Sequence, residues 1–557
     1  MLKPAFLFIP IVALLLTQVP RALESIPPAL TGVVTSREEG RMEGVLVSAK
    51  GVNSSIRITV VSDNDGRYVF PSNKLKPGNY VLSVRAAGYE LGDLASVAVS
   101  AGQSRSVALA LHRTQDLASQ LVPAEWLASI PGTPEQKDSF YDCQHCHNLT
   151  VVLQSRYNAK EWLPVIQRMR NHAPPSSFRH PNNLPFPVRE NPRDVKLAEY
   201  LASINLSSRP KWNFDLQTLP RPKGEDTKVL ITEYDLPRAD SAPHDAIVDS
   251  EGMVWYVDFI SPFLGRLDPL TGEVKEWTIP VPKPGFPEGS LDVELDKNEN
   301  VWIGRLFQGA IAKFDKKTEK FQTWTDPAPY SLNNSVSAFV DFTPDGKVWF
   351  NSGRVRHAFR LDPATGEIAA FSEYPGYQPA VERGLGEKGA KELGHLTYGL
   401  RADSLGNYYF ADMAGGNIGK IDGKTGQAFL FPTPTLNSGP RRMHMDSEDK
   451  LWFGEYYGLN IGMFDTRTEK FQEWPARTPW DGPYDVVRDK DGKVWTGGMS
   501  TDLVTRLDPR TGHSVAYLLP TVDANIRRVE VDNSTTPVTF WVGENHQGKI
   551  AKVQPLD

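Results

Sequence analysis

Only two of the 557 residues are cysteines, and they stand three apart in the run Asp142-Cys143-Gln144-His145-Cys146-His147. Thiols at i and i+3 on a helical turn can form thioethers with the two vinyl groups of one porphyrin. The histidine that follows is then beneath the ring, where an imidazole nitrogen ligates iron. Cys-x-x-Cys-His is the attachment pattern of haem c. The same residues also read as a chance occurrence or as half of a zinc site lacking its other half. The absence of any third cysteine and the export signal described below favour one covalent haem c, with Cys143 and Cys146 as thioethers and His147 as the proximal iron ligand.

Helices must position such a group. EWLASI, AKEWLPVIQRMRNH and RDVKLAEYLASIN carry apolar residues at three- and four-residue intervals, which predicts helices within residues 113–207. The order helix, attachment motif, helix and final LAEYLASI resembles the small class I cytochrome c domains. For the sixth iron position Met169 is the soft ligand by type, and a thioether there raises the reduction potential. His172 and His180 compete with it. Met169 stands at helical spacing from Trp162, Val165 and Ile166, so core packing explains it as well. In the cytochrome family the methionine commonly sits in a loop, where the sequence places His172 and His180.

The N-terminal run MLKPAFLFIPIVALLLTQVPRALES sets one lysine ahead of an apolar stretch from Ala5 to Leu16, the layout of a secretory signal peptide over residues 1–25. The stretch is shorter than the roughly 20 residues of a spanning helix, and Pro10 interrupts it. Export to a periplasmic or extracellular location is expected, with no membrane span after cleavage. Residues 26–112 alternate apolar and polar side chains between NDG and KPGN turns, which predicts a small β-sandwich. The stretch VSDNDGRYVFPSNKLKPGNYVLSVRAAGYE resembles the carboxypeptidase regulatory-like family of prealbumin-like sandwiches. It places Asp65-Gly66 in a hairpin turn, Tyr68 and Phe70 inward, and the Pro77-Gly78 turn before Tyr80. The resemblance implies a folding or adhesion module without chemistry.

Lys+Arg 61 against Asp+Glu 67 leaves a formal charge of -6, too balanced for a polyanion binder, so nucleic acid is not an expected partner. With 44 glycines and 44 prolines the chain leans towards strands and turns. A Pro-rich linker at 208–227 leads into residues 228–557, where a repeat governs. Trp255, Trp302, Trp349, Tyr409, Trp452, Trp495 and Trp541 recur at intervals of 47, 47, 60, 43, 43 and 46. After the first six, an aspartate follows thirteen residues on: Asp268, Asp315, Asp362, Asp422, Asp465 and Asp508. Each unit supplies four short strands, so seven units predict a seven-bladed β-propeller. The last unit ends before an outer strand while KVLITEYDLP has no blade of its own, so the N-terminal strand should complete the last blade. The long interval holds an insertion, YPGYQPAVERGLGEKGAKELGH, expected as a loop over one face. The whole chain is thus mainly β and multidomain: prealbumin-like β-sandwich, small α-helical cytochrome c-like domain, propeller.

Units such as APHDAIVDSEGMVWYVDFISPFLGRLDPLTGEVKEW resemble the virginiamycin B lyase (streptogramin lyase) family. The resemblance implies magnesium-assisted eliminative opening of a cyclic depsipeptide ester, using histidines near the propeller axis as bases. The family's two histidines belong to the last two blades, where this chain has Tyr484 and Arg527, and its metal glutamates map to Asn525 and Asn545. Only Pro243-His244 in the first blade keeps the pattern, so His244 is the single catalytic candidate, and Mg2+ is expected only if the propeller is lyase-like.

The axial positions by alignment are His244, Leu291, Ala338, Tyr398, Arg441, Tyr484 and Arg527. Guanidinium forks suit carboxylates and other planar anions. Arg441, Arg527, Tyr398, Tyr484 and His244, helped by Arg442, Arg528 and Arg305, therefore form a candidate site for a small anionic or oxygen-rich ligand. The plain alternative is an ion network in which these arginines pair with Asp258, Asp412, Glu455 and Glu544. His444 and His546 are expected as surface or strand residues, and His395 as either. Three function classes remain: a redox protein with a partner protein or a ligand in the channel, a lyase or hydrolase, and a binding scaffold. The haem motif favours the first.

Overall fold

The computed structural model describes residues 27–93, 95–174, 176–177, 180–185, 191–328, 330, 337–353, 355–374 and 394–556. The signal segment and most of the insertion after Tyr374 lie outside these residues.

The first body is a sandwich. One sheet contains Pro28–Ser36, Arg67–Pro71, Tyr89–Leu91 and Leu109–Arg113; the other contains Leu46–Gly51, Ile56–Val61, Gly78–Arg85 and Ala95–Val99. Alternation along these strands brings Val34, Val47, Val60, Tyr68, Phe70 and Leu82 into one core. Tyr68 and Phe70 do point inward, and the Tyr68 hydroxyl donates to the Val107 carbonyl at 2.7 Å. The Asp65-Gly66 turn forms with Gly66 at φ 69°, but it is not a hairpin within one sheet. The strands on either side, Ile56–Val61 and Arg67–Pro71, belong to opposite sheets, so the turn carries the chain across the sandwich. Asp63 holds it by accepting from the N–H groups of Asp65 and Arg67 at 3.0 and 2.9 Å.

Helices Pro123–Ser129, Ala159–Arg170 and Arg193–Ile204 follow where the apolar spacing predicts helix, and Pro134–Tyr141 and Thr150–Leu153 add two that it does not. Asn158 and Glu161 form a capping box at the start of Ala159–Arg170, satisfying N–H groups the helix cannot pair internally. The apolar stripes meet in a core of Trp126, Leu127, Phe140, Trp162, Ile166, Leu201 and Ile204, which continues without a break into Tyr456, Tyr484 and Met499 of the propeller. Residues 208–227 are a packed strap: Trp212 lies edge-on to Trp126 at 5.3 Å, and the Leu219 N–H donates to Glu125 at 2.7 Å.

Residues 229–555 form seven four-stranded blades, six of them built from consecutive strands. The repeat has a physical cause. Six residues before four of the blade tryptophans stands an aspartate whose carboxylate takes the indole N–H: Asp249 from Trp255 at 2.8 Å, Asp296 from Trp302 at 3.0 Å, Asp446 from Trp452 at 3.0 Å and Asp489 from Trp495 at 2.7 Å. The same carboxylates accept backbone N–H groups of the turn between the first two strands, as Asp249 does from Glu251 and Met253. Aromatic rings of second strands lie over third-strand glycines. A Cβ on Gly265 or Gly419 would come within 2.1 or 2.0 Å of Tyr256 or Phe410.

The seventh blade closes as expected, with Val229–Asp235 pairing along Lys549–Pro555 from Val229↔Pro555 to Asp235↔Lys549. The other edge of that strand is also paired, by Ile56–Val61 of the sandwich, with Leu230 opposite Val60 and Tyr234 opposite Ile56. One sandwich sheet and the seventh blade are therefore a single eight-stranded sheet. Leu46 and Val61 pack against Val229, Ile231, Phe540 and Val553. Arg85 crosses to Asp502 at 2.9 Å, and Arg57 to Glu233 at 3.1 Å.

This shared sheet should couple the two bodies. Ile231→Ala, at a fully buried position, is expected to cost about 2–5 kcal/mol and to lower both bodies together. Tryptophan fluorescence reads the propeller and helices, since residues 26–112 contain no tryptophan, and hydrogen exchange in Leu46–Gly51 reads the sandwich. Well-separated transitions would show that the shared sheet does not couple them.

Candidate functional site

The helix Pro134–Tyr141 runs directly into the 3-10 turn Asp142–His145, which places Cys143 and Cys146 on one short stretch. Both are partly buried and not joined in a disulfide. His147 follows, and its Nδ1 lies 3.1 Å from the Asn148 carbonyl. Asn148 is itself fixed, accepting from the N–H and hydroxyl of Thr150 at 2.8 and 2.6 Å. An imidazole that donates from Nδ1 to a carbonyl presents the Nε2 lone pair to a metal. Burial holds the His147 pKa below its ordinary value, which favours the neutral ligating form. Two thiols and a neutral imidazole on one short stretch are the residue types that a covalent haem would use. A bare cation has no comparable place: among the described residues no three His, Cys, Asp or Glu side chains group to hold one.

The sixth-ligand candidates separate. Met169 lies on the last turn of Ala159–Arg170 and is 41% exposed, so it is not the core residue its spacing from Trp162 and Ile166 allows. His172 Nδ1 meets Asn183 at 2.8 Å, and His180 stands 3.5 Å from Asp240 of the propeller.

Six of the seven innermost blade strands open with an irregularity, for example between Pro243 and Asp245, Pro440 and Met443, Pro483 and Val486, and Ile526 and Val529; Asp292–Leu295 pairs in unbroken register. Such a bulge turns two successive side chains towards the same side. His244-Asp245, Arg441-Arg442, Tyr484-Asp485 and Arg527-Arg528 therefore build two layers in the axis. Sequence alignment identified the upper layer as a possible ligand site. The structure fills it with the chain itself, through Gln144 and His145. Arg527 Nη2 donates to the His145 carbonyl at 2.6 Å, Asn525 to the Gln144 carbonyl at 3.2 Å, and Gln144 to the Tyr456 hydroxyl at 3.2 Å. The His145 ring stacks on Tyr456, with Nε2 3.3 Å from its hydroxyl and 3.4 Å from Arg441 Nη1. Tyr398 and Tyr484 share a short hydroxyl contact.

His244 sits under this cover, fully buried, with Nδ1 2.6 Å from Asp245 and Nε2 3.2 Å from the Tyr484 hydroxyl. Burial, then the charges of Arg527, Arg442 and Arg441, hold its pKa well below the ordinary value. Such an imidazole resists taking a proton, which is poor placement for a base.

The lower layer is an ion network, with other partners than the alignment suggested. Arg442 reaches Asp245 at 2.9 Å, Asp292 at 2.6 Å and Asp485 at 3.6 Å; Arg528 reaches Glu294 at 2.8 Å and Glu530 at 3.3 Å. His444 lies on the strand Pro440–Met445, the strand alternative expected for it, and joins the network through Asp485 at 3.1 Å. The four carboxylates expected to pair with these arginines lie further out: Asp258 meets Arg238, Asp412 meets His395, Glu455 meets Asn460, and burial beside Glu233 pushes the Glu544 pKa well up. Arg305 serves no axial ligand, since it donates to the Pro280 and Glu288 carbonyls and ties down a loop. His546 bridges Asp523 at 3.0 Å and the His145 carbonyl at 3.4 Å, so it too belongs to the grip on the motif. Sequence reasoning missed the roles of His145, Gln144 and Tyr456, because nothing in their spacing places the motif against a blade some 300 residues later.

Comparison with known proteins agrees with two of the three bodies. The Virginiamycin B lyase family profile matches residues 386–556, and that of the Carboxypeptidase regulatory-like domain matches residues 29–112. Among solved structures, a streptogramin B lyase is 20% identical, covering 60% of this chain and 100% of its own, at a TM-score of 0.51. The virginiamycin B lyase of Staphylococcus aureus is 20% identical, covering 58% of this chain and 98% of its own, at a TM-score of 0.49. No curated protein matches the chain. The chain thus carries a virginiamycin B lyase-like propeller and a carboxypeptidase regulatory-like domain.

Two outcomes follow from the buried charges. Arg442→Met should cost about 3–5 kcal/mol in chemical denaturation, because it strands the buried aspartates without their cation; a loss below 1 kcal/mol would show that the network does not need it. Burial pushes Glu373 up to about 7, against the hydroxyls of Thr397 and Tyr408. Its folded value exceeds the unfolded one of roughly 4, so its stabilising contribution is full below that pH and declines as pH rises through about 7. Glu373→Gln should flatten the stability profile across that window, and an unaltered slope would exclude this assignment.

Proposed function

We propose that this protein is an exported haem c electron carrier in which the helical body bears the haem and the lyase-like propeller serves as its scaffold. The observation that supports the reading best is the pair of thiols three residues apart followed at once by His147, whose Nδ1 lies 3.1 Å from the Asn148 carbonyl, so that the lone pair falls on Nε2. When bound, haem supplies a one-electron couple whose potential depends on its ligands and on the charges around it. The chain's own residues hold the attachment segment in place through Arg527, Asn525 and Tyr456. Trp126, Phe140, Trp162 and Leu201 exclude water from the neighbouring core. The electron is exchanged with a partner protein or a small redox molecule. Among the described residues no helix is long and apolar enough to cross a membrane.

The family profile over residues 386–556 favours a second reading, a carbon–oxygen lyase in the propeller. Against it stand Tyr484 and Arg527 at the expected histidine positions and the enclosure of His244. Nor does the axis offer open room for a depsipeptide, since residues 141–147 cover the upper layer through Arg441, Arg527 and Tyr456.

Expression with an N-terminal export signal in a host competent for haem c maturation, followed by a pyridine haemochrome spectrum, tests the proposal. One covalent haem per chain is expected, lost in the Cys143→Ala, Cys146→Ala double variant while the propeller stays folded. Colourless exported protein would overturn it. Magnesium-dependent opening of a streptogramin B depsipeptide, abolished by His244→Ala, would support the lyase reading instead; no turnover is expected.

A further inference from the structure

The two arginines of the upper axial layer differ from the two beneath them in their counter-charges. Arg442 and Arg528 are surrounded by carboxylates. Arg441 and Arg527 are as deeply enclosed, at 6% and 3% exposure, yet among the described residues neither has a carboxylate within ion-pair distance. The Arg441 guanidinium lies instead 4.0 Å from the ring centre of Tyr484, 4.4 Å from that of Tyr456 and 5.0 Å from that of Tyr398, and its Nε has no acceptor. Arg527 lies 4.5 Å over Phe259 and spends its donors on Asn525 Oδ1 at 2.9 Å and the His145 carbonyl. A buried cation without a counter-ion is costly, and ring faces and carbonyls offset only part of that cost. Both charges converge on His145, the residue bonded to Cys146 and two before His147.

We propose that Arg441 and Arg527 raise the reduction potential of the haem attached at Cys143 and Cys146, so that the propeller is an electrostatic part of the redox centre. The inference rests on the haem c reading above. Reduction adds one electron from the partner donor to the iron, with no bond formed or broken and no proton taken up. The oxidised centre therefore carries one more positive charge than the reduced one. Uncompensated cations held in a low-dielectric interior disfavour that extra charge, whereas the neutralised pair below acts far more weakly. Both arginines act through the field and through His145, which makes them positioning and tuning residues.

Spectroelectrochemical titration of the full-length, haem-loaded protein tests this. Arg441→Gln and Arg527→Gln should each lower the midpoint potential, raising the oxidised-to-reduced ratio at a fixed ambient potential about tenfold. Haem content and visible spectrum should stay as in the parent. Arg441→Lys and Arg527→Lys keep the charge and lose the planar fork, so their potentials should stay close to the parent's. Equal shifts in the Gln and Lys variants would mean a structural effect and would overturn the proposal, as would unmoved potentials. If the Gln variants fail to fold, Asn525→Asp supplies a carboxylate beside Arg527 Nε at nearly the same shape, and it too should lower the potential; no shift there would overturn the proposal. A parent chain without covalent haem refutes the haem reading itself, while a haem-bearing chain indifferent to these changes refutes the tuning alone.

Discussion

The pairing of Val229–Asp235 on both of its edges is the constraint on which the rest of the structure depends. On one side the strand completes the last blade and closes the ring. On the other it continues into the sandwich through Ile56–Val61. A propeller closed by its own first strand resists opening, because parting the ring means breaking a full ladder of backbone hydrogen bonds together with the apolar contacts of Ile231 and Val553. Pairing both edges also removes an exposed strand that could template association with other chains.

With the ring closed, the inner strands face one another across a narrow axis, and in six blades a bulge crowds successive side chains into it. The chain resolves the crowding by splitting charge between layers. Below, Arg442 and Arg528 meet Asp245, Asp292, Glu294 and Asp485, a network satisfied within the propeller. Above, Arg441 and Arg527 face a surface that a lyase would keep open for substrate. Here it is covered by the segment from Tyr141 to His147, whose carbonyls and rings take the place of a ligand. The residues that suggest an anion site are thus engaged with the chain itself.

This arrangement ties helical body and propeller into one unit. Tyr456, Tyr484 and Met499 belong to the same core as Trp126 and Trp162, so the segment that carries Cys143 and Cys146 is held between two apolar bodies. The strap at 208–227 packs on the helices through Trp212 and Leu219 and meets the propeller where Asp226 pairs with Arg477. Sandwich, helices and propeller consequently define the environment of Cys143, Cys146 and His147 together.

The seven-blade count, the closing strand, the inward Tyr68 and Phe70 and the helices at EWLASI, AKEWLPVIQRMR and RDVKLAEYLASI were all legible in the sequence. Each follows from local periodicity or from a repeat whose aspartate and tryptophan bond within a few residues, as Asp249 and Trp255 do. The Cys-x-x-Cys-His spacing was legible for the same reason, since its chemistry needs only one turn of chain. The merging of sandwich and blade, the seating of His145 on Tyr456 and Arg441, and the division of the axial arginines into a pair that meets carboxylates and a pair that meets rings and carbonyls were decided by the tertiary structure alone. These depend on contacts between residues hundreds of positions apart, and no periodicity of a single chain encodes which distant surfaces meet or whether a buried guanidinium finds a carboxylate or a ring when they do.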